Sequence, residues 1–177
     1  MILVILWLSS ILMTDTIELF DFKPNSDISD WTVVNDAVMG GRSRGRFSLN
    51  DQGHAVFQGE VSLENNGGFS LVRYRFRSIE VAGVKKFAIR LRGDGKRYQF
   101  RVQADLNQRY HHVTYFQTSG EWQEVEIPFQ DLSPRFRGRD LEGPNYSGER
   151  LSEIGLLIGN KRAEAFRLEI DWIRLVE

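Results

Sequence analysis

The sequence contains no cysteine, and this absence excludes several kinds of site at once. Without thiols the chain forms no disulfide, provides no thiolate nucleophile and offers no sulfur ligand to zinc. Histidine is also scarce, with three in 177 residues. Two of these, His111 and His112, are adjacent, so on a strand they point to opposite faces and do not share one metal ion. We therefore expect no metal site and no cofactor.

Apolar runs long enough to span a membrane are also missing. The most apolar stretch, Ile2 to Met13, is shorter than the roughly 20 residues that a membrane-spanning helix needs. No Lys or Arg precedes Lys23, although secretory signals and mitochondrial presequences carry early positive charges. We interpret residues 1–14 as a hydrophobic leader or a mis-assigned start, and residues 15–177 as one domain. The expected location is cytoplasmic, and the alternative is export or membrane association through residues 1–13.

Helical periodicity is scarce, and alternation of apolar and polar residues takes its place. Ala55, Phe57, Val61 and Leu63 share one face of a predicted strand, and about ten short strands follow this pattern along the chain. With 41% hydrophobic residues, the chain can bury a proper core. The predicted fold class is all-β, a jelly-roll-like β-sandwich that resembles galactose-binding domains.

Turn residues predict how some strands connect. Asn65 to Gly68 predicts a turn in which Asn-Gly takes the type I′ geometry. Gly93 to Gly95 predicts a hairpin between two strands, and the face change after Trp172 predicts a bulge in the last strand. Between Asp131 and Arg150 the alternation stops and Pro and Gly accumulate, which predicts a long surface loop.

Charge is unevenly distributed, although its total is only −1. Residues 73–109 hold eleven basic and three acidic residues, a net charge of +8, and the remainder holds twelve basic and twenty-one acidic residues, a net charge of −9. Such a distribution can steer an acidic partner to one face. The alternative is that acidic residues of neighbouring strands neutralise these arginines in space.

The most unusual stretch runs from Trp31 to Ser43. Aromatic and apolar residues lead into Asn35 and Asp36, and the pattern breaks again at Gly40 and Gly41. Asn and Asp bond their own main chain in turns, and paired glycines allow close approach of another segment. The stretch predicts a fixed, irregular loop, which is either a structural corner at one end of a sandwich or a loop that contacts a ligand or partner.

This stretch and three later ones resemble the signature of the complex I intermediate-associated protein 30 family. The matching residues are Trp31, Asn35–Asp36, Val38–Gly41, Ser43, Asn65–Phe69, Arg73, Ile154–Leu156 and Phe166–Ile173. Ala37 departs from the family pattern, which has glycine there. The resemblance implies a galactose-binding-like jelly roll and, as in the mitochondrial members, assistance in the assembly of respiratory complex I. Because we see no long N-terminal extension, we interpret the chain as a free-standing bacterial relative.

Polar side chains lie opposite the apolar faces of two successive predicted strands. Arg90 and Arg92 precede Gly93, and Gln99, Arg101 and Gln103 follow it. If the two strands are neighbours, these residues form one continuous polar patch for hydrogen bonding and ion pairing. A solvated sheet face is the alternative interpretation.

We predict a non-catalytic binding module that assists assembly of a respiratory or other membrane complex, with a protein client as its partner. The predicted contact residues are Asn35, Asp36, Met39, Gly40, Gly41, Ser43, Asn66, Arg73, Arg90, Arg92 and Arg101. A competing prediction is a carbohydrate-binding module in which tryptophans line a sugar site, although core packing also explains these rings. Nucleic-acid binding is disfavoured by the net charge. No catalytic residues are predicted, because the G-x-S-x-G pattern at Gly41–Gly45 lacks the strand-to-helix turn of a nucleophile elbow.

Overall fold

A computed structural model of the protein describes residues 16–177. The predicted hydrophobic leader, residues 1–14, lies outside the described residues. From residue 16 onward the chain forms strands and three short 3-10 helices. No helix in that part is long and apolar enough to cross a membrane.

Thirteen strands follow one another along the described chain. They are β1 (Ile17–Asp21), β2 (Trp31–Asn35), β3 (Arg44–Leu49), β4 (Ala55–Val61), β5 (Ser70–Glu80), β6 (Lys86–Arg92), β7 (Arg97–Gln103), β8 (His111–Gln117), β9 (Trp122–Pro128), β10 (Ser133–Phe136), β11 (Arg139–Asp140), β12 (Arg150–Ile158) and β13 (Glu164–Val176). The 3-10 helices are Asp36–Met39, Glu64–Asn66 and Phe129–Asp131.

The strands form two antiparallel sheets. The six-stranded sheet has the order β3-β4-β13-β6-β9, with β1 paired to β13. The seven-stranded sheet has the order β11-β10-β8-β7-β12-β5-β2. Sequence neighbours often lie in different sheets, so the chain repeatedly crosses from one layer to the other. This is the all-β sandwich that the alternation predicts, and the fold-class prediction is confirmed.

The core lies between the two sheets. Phe57, Phe87 and Leu168 point into it from the six-stranded sheet, and Phe100 and Leu156 from the seven-stranded sheet, each at most 1% exposed. The rings of Phe87 and Phe100 meet edge to face, with centroids 4.8 Å apart. Burying each such side chain contributes about 1.5–3 kcal/mol relative to exposure. These contacts fix which face of each strand remains outside.

Some local predictions hold and others do not. A register shift between Ile170 and Trp172 confirms the bulge in β13. The predicted Gly93–Gly95 hairpin is wrong, because β6 and β7 lie in different sheets. Alternation identifies a strand but does not identify its partner, and here the glycines mark a crossing between layers.

Two further turn predictions need correction. In the turn after β4, Asn65 and Asn66 have φ angles of 54° and 60°, but Gly67 has a φ of −69°, so the Asn66-Gly67 pair does not take the type I′ geometry. The segment between Asp131 and Arg150 is not a continuous loop, since it includes the β10–β11 pair and the buried Tyr146. Its strands are only four and two residues long, too short to show alternation.

Candidate functional site

Two crossings between the sheets lie side by side at one end of the sandwich. One runs from Asn35, the end of β2, to Arg44, the start of β3, and the other connects β4 to β5. Because β2 pairs with β5 and β3 pairs with β4, the two crossings are neighbours. The first of them is the unusual stretch found in the sequence.

Asp36 joins the two crossings. Its side chain is fully buried and accepts hydrogen bonds from the amides of Ser43 at 2.9 Å, Gly68 at 2.6 Å and Phe69 at 3.3 Å. The Ser43 hydroxyl donates a further bond to the same carboxylate and accepts one from the Ser62 amide at 2.9 Å. Burial alone would raise the pKa of Asp36, but these donors together lower it below its ordinary value.

Asn35 ties the same corner to the sheets. Its side-chain oxygen accepts bonds from the Ser70 hydroxyl at 2.7 Å and from the Gly45 amide at 2.9 Å, so it links β5 of one sheet to β3 of the other. Asn35, Asp36 and Ser43 are therefore occupied by internal contacts. Of the two interpretations of this stretch, the structural corner describes what these three side chains do.

The other predicted loop residues lie nearer the surface. Met39 is 64% exposed, and Asn66 is exposed beside it in the second crossing. The side-chain amide of the neighbouring Asn65 donates a 3.1 Å hydrogen bond to the Gly40 carbonyl oxygen. Gly41 leaves room for Asp36, since a β-carbon there would overlap the carboxylate. The exposed part of the corner is thus small and formed around Met39.

The predicted continuous arginine patch is wrong. Arg90 and Arg92 lie on β6, in the six-stranded sheet, whereas Arg101 lies on β7, in the seven-stranded sheet. Arg90 pairs with Asp171 at 3.0 Å, and Arg92 makes two 3.0 Å bonds with the Glu169 carboxylate. Acidic residues of β13 therefore neutralise this part of the basic window.

The outward face of the seven-stranded sheet is different. Arg73 on β5 and Arg101 on β7 both pair with Gly155 on β12, one on each side, so the three residues form a row across the sheet. Leu71, Val113 and Leu157 alternate with core residues of these strands and are buried on the same outward face. This outward face thus combines buried apolar side chains with arginine side chains.

Carboxylates neutralise only part of this face. Glu153, which is 1% exposed, holds Arg75 at 2.5 Å and His111 at 3.0 Å. Asp140 pairs with Arg135 at 2.7 Å. No ion pair within residues 16–177 involves three other arginines of this face, Arg73, Arg97 and Arg101. The basic window is therefore only partly compensated on β5 and β7.

Arg73 and Arg101 are also partly buried. The Nε atom of each is enclosed by protein and has no hydrogen-bond partner in the described part of the chain. Burial lowers the pKa of both guanidinium groups, and nearby Arg75 and Arg135 act in the same direction, against the attraction of Glu153. The Nη atoms of the two residues are not enclosed and have no hydrogen-bond partner in the described part of the chain, so this end of each guanidinium group can receive an acceptor from outside.

Tyr115 is the large aromatic residue most exposed on this face, at 39%. The guanidinium carbons of Arg97 and Arg135 lie over its ring, 4.5 and 5.4 Å from the centroid. Gln99 donates a 3.0 Å bond to its hydroxyl. Cations thus cover a ring that could otherwise have been a stacking platform.

The three tryptophans of the sugar-site prediction do not come together. Trp31 is buried in the core, stacked on Phe47 and Tyr74. Trp122 and Trp172 are half-buried in the six-stranded sheet, each under an arginine side chain. Core packing is the correct interpretation for Trp31.

The outward face of the seven-stranded sheet, the arginine face, also includes residues that were not predicted as contacts, among them Arg75, Arg97, Tyr115, Arg135 and Glu153. Arg97 lies in the basic window, which gave a signal for it. Arg135 and Glu153 lie outside the window and reach the face only because β10 and β12 join this sheet. Across residues 16–177, no three His, Asp or Glu side chains are grouped to hold a metal ion.

The sequence matches the profile of one protein family over residues 20–170, and that family is described as Complex I intermediate-associated protein 30. Two curated proteins with similar sequences are both named Complex I intermediate-associated protein 30, mitochondrial. The one from Drosophila melanogaster is 27% identical, over 91% of this chain and 63% of its own length. The one from Mus musculus is 27% identical, over 94% of this chain and 58% of its own length. The chain thus spans about three fifths of these relatives.

Solved structures with a similar fold include carbohydrate-binding modules. A family 11 module of Clostridium thermocellum, solved in complex with a β-1,3-1,4-mixed-linked tetrasaccharide, has a TM-score of 0.66 at 16% identity and covers 91% of this chain and 95% of its own. A family 30 module has a TM-score of 0.56 at 13% identity and covers 92% of this chain and 99% of its own. At these identities the likeness shows the fold alone.

Proposed function

The chain belongs to the complex I intermediate-associated protein 30 family, and from this premise we propose that it assists the assembly of a respiratory membrane complex. The mode of action is binding without catalysis: the rigid sandwich holds a protein client while that client is incorporated. The family resemblance found in the sequence is confirmed by the profile match over residues 20–170. The relatives' printed name, which associates them with an intermediate of complex I, supports the choice of complex.

The client docks on the outward face of the seven-stranded sheet. The observation that carries this assignment is the contrast between the two sheets. Within the basic window, Arg90 and Arg92 of the six-stranded sheet are neutralised by carboxylates, whereas Arg73, Arg97 and Arg101 of the other sheet have no carboxylate partner among residues 16–177. Uncompensated arginines steer acidic partners and provide strong bidentate contacts at interfaces.

The rigidity of this face fits a docking role. Its central strand, β12, is buried on both sides apart from Arg150, so the backbone beneath the arginines is held by neighbouring strands. A preorganised surface loses little conformational entropy when a client binds. The exposed Met39 corner lies at one end of the same sandwich and is a second, smaller contact.

Site-specific cross-linking tests the proposal. A photoreactive benzoylphenylalanine replaces Tyr115, on the arginine face, or Ser48, which is exposed on β3 of the other sheet. After irradiation in the native cell, we expect a subunit of a respiratory complex to be cross-linked from position 115 and not from position 48. Deleting the gene should also lower the amount of the mature complex. Cross-links from 48 alone, or no effect of deletion on the complex, would refute the proposal.

Carbohydrate binding is a second candidate, favoured by the fold shared with the family 11 module. The aromatic residue of the seven-stranded face argues against it, because the Tyr115 ring is covered by Arg97 and Arg135. A glycan array tests this candidate directly. Binding of a neutral β-glucan that is lost on Tyr115→Ala would favour it over the assembly role.

A further inference from the structure

We propose that Arg73 and Arg101 form a carboxylate-binding site above Gly155, which takes an acidic segment of the client in an extended conformation. This inference rests on the proposed function, since it names the chemistry by which the same face selects its client. It assigns the affinity to one pair of residues, and it can fail while the assembly role stands.

The row of three residues provides the geometry. Gly155 pairs with Arg73 on one side and with Arg101 on the other. Neighbouring strands are about 4.8 Å apart, so the two arginine Cα atoms are roughly 10 Å apart across the glycine. Arginine side chains are long enough for both guanidinium groups to reach one carboxylate placed between them. The two cations therefore flank a residue that has no side chain, next to the buried Leu71.

Gly155 leaves the space between the two arginines without a side chain of its own. A β-carbon at position 155 would lie 3.1 Å from Leu71 Cδ1, 3.2 Å from the Val72 carbonyl oxygen and 3.5 Å from Arg73 Cβ. Any larger side chain would stand between the arginines and press on the stem of Arg73. The glycine of the Ile154–Leu156 motif thus has a role in the site as well as in the sheet.

No carboxylate of residues 16–177 forms an ion pair with Arg73 or Arg101. Glu153, the nearest acid along β12, is already bound to Arg75 and His111. Arg73 and Arg101 each have an enclosed Nε–H without an acceptor in the described chain. The Nη atoms of both residues are not enclosed and make no hydrogen bond in the described chain, so a carboxylate from outside can accept from the two Nη atoms of one guanidinium group in a bidentate geometry. This is the contact that the two residues lack.

The neighbouring charges favour an extended acidic peptide. Along β5, Arg75 follows Arg73 on the same face, and along β7, Arg97 precedes Arg101 by four residues. Alternate residues of a strand are about 6.6–6.8 Å apart, which is also the spacing of alternate side chains in an extended ligand. A segment with acidic residues at alternate positions can therefore meet Arg101 and then Arg97 along β7, whereas Arg75 is already bound to Glu153.

A binding titration tests the site with a defined probe. The probe is a fluorescently labelled hexaglutamate peptide, and hexaglutamine is its uncharged control. We expect the double variant Arg73→Gln/Arg101→Gln to bind hexaglutamate at least about tenfold more weakly than the unmodified protein. The matched control is Arg44→Gln/Arg46→Gln, which removes the same charge from exposed positions on β3 and should retain affinity within about twofold.

Further variants distinguish specific binding at Arg73 and Arg101 from general electrostatic attraction. Arg73→Lys/Arg101→Lys keeps the charge but not the bidentate fork, so it should recover only part of the affinity. Gly155→Val should weaken binding as strongly as loss of one arginine. If both double Gln variants lose affinity equally, or if the Lys variant binds like the unmodified protein, the site is wrong.

If the variants do not fold, the site can still be tested on the unmodified protein. Nuclear magnetic resonance should show the Nε–H signals of Arg73 and Arg101 shifting when hexaglutamate is added. Unchanged signals, or a stronger effect of oligogalacturonate than of hexaglutamate, would overturn the acidic-peptide assignment. Failure here together with a respiratory subunit cross-linked from position 115 would reject the site and leave the assembly role intact.

Discussion

The main-chain amide of Gly68 donates a 2.6 Å hydrogen bond to the Asp36 carboxylate, across 32 residues of sequence. The bond connects the crossing after β2 to the crossing after β4, so it closes one end of the sandwich. Ser43 provides two more donors to the same carboxylate. A single acidic side chain therefore holds together three segments that arrive from both sheets.

Removing the Asp36 carboxylate should strongly destabilise the fold. Asp36→Ala leaves the amides of Ser43, Gly68 and Phe69 without their buried acceptor, and we expect the free energy of unfolding to fall by about 3 kcal/mol. Urea denaturation followed by tryptophan fluorescence measures it. The control is Asp51→Ala, at an exposed turn residue, which should change stability by no more than about 0.5 kcal/mol. Equal effects of the two substitutions would show that the corner is not held by Asp36.

The contribution of Asp36 should depend on pH. Its pKa in the folded protein is below the ordinary value near 3.9 that it has when unfolded. A group with a depressed folded pKa stabilises the fold fully above the unfolded pKa and loses that contribution as pH falls through the folded pKa. We therefore expect the difference in unfolding free energy between the unmodified protein and Asp36→Asn to be constant above about pH 5 and to narrow toward pH 2. If the difference in unfolding free energy between the two proteins increased as the pH fell, this assignment would be contradicted.

Gly41 should not tolerate even one methyl group. A β-carbon there overlaps the Asp36 side chain, so we expect Gly41→Ala to cost about 2 kcal/mol of unfolding free energy. The matched control is Gly143→Ala, because the nearest atom to a β-carbon at that position is Pro134 Cγ at 3.5 Å, an ordinary contact. Thermal unfolding of the two variants measures the difference. A Gly41→Ala protein as stable as Gly143→Ala would show that the corner can relax around the added methyl.

Arg75 should matter more than its partly exposed position indicates. Its side chain is 47% exposed, but its partner Glu153 is 2% exposed in the side chain, and Arg75→Ala leaves that carboxylate with His111 as its ionic partner. We expect a loss of about 1–3 kcal/mol in unfolding free energy, less than for a fully buried pair. The comparison is Arg42→Ala, which breaks a pair with Glu64 in which both side chains are over 60% exposed and should cost less than about 1 kcal/mol. Similar losses in chemical denaturation would show that burial of Glu153 does not strengthen the pair.

Local sequence patterns were sufficient to predict most strands and to recognise the family. Alternation along β4, β7 and β13 depends on which residues avoid water, and that preference is local. The Trp31–Ser43 stretch was also recognisable, because Asn, Asp and paired glycines have distinct conformational preferences wherever they occur. These signals identified the fold class, the bulge near Trp172 and the corner residues Asn35 and Asp36.

Which strands are neighbours follows from long-range packing and not from local sequence, and the candidate site depends on that pairing. Arg92 and Arg101 are close in sequence, yet their strands lie in different sheets, since the Gly93–Gly95 segment crosses the sandwich instead of forming a hairpin. Arg73 and Arg101 face one another across Gly155 because β12, from far along the chain, inserts between β5 and β7. Strand pairing depends on long-range packing of the core, which local periodicity does not encode. Which arginines are neutralised and which remain available to a partner is therefore a property of the assembled sheets.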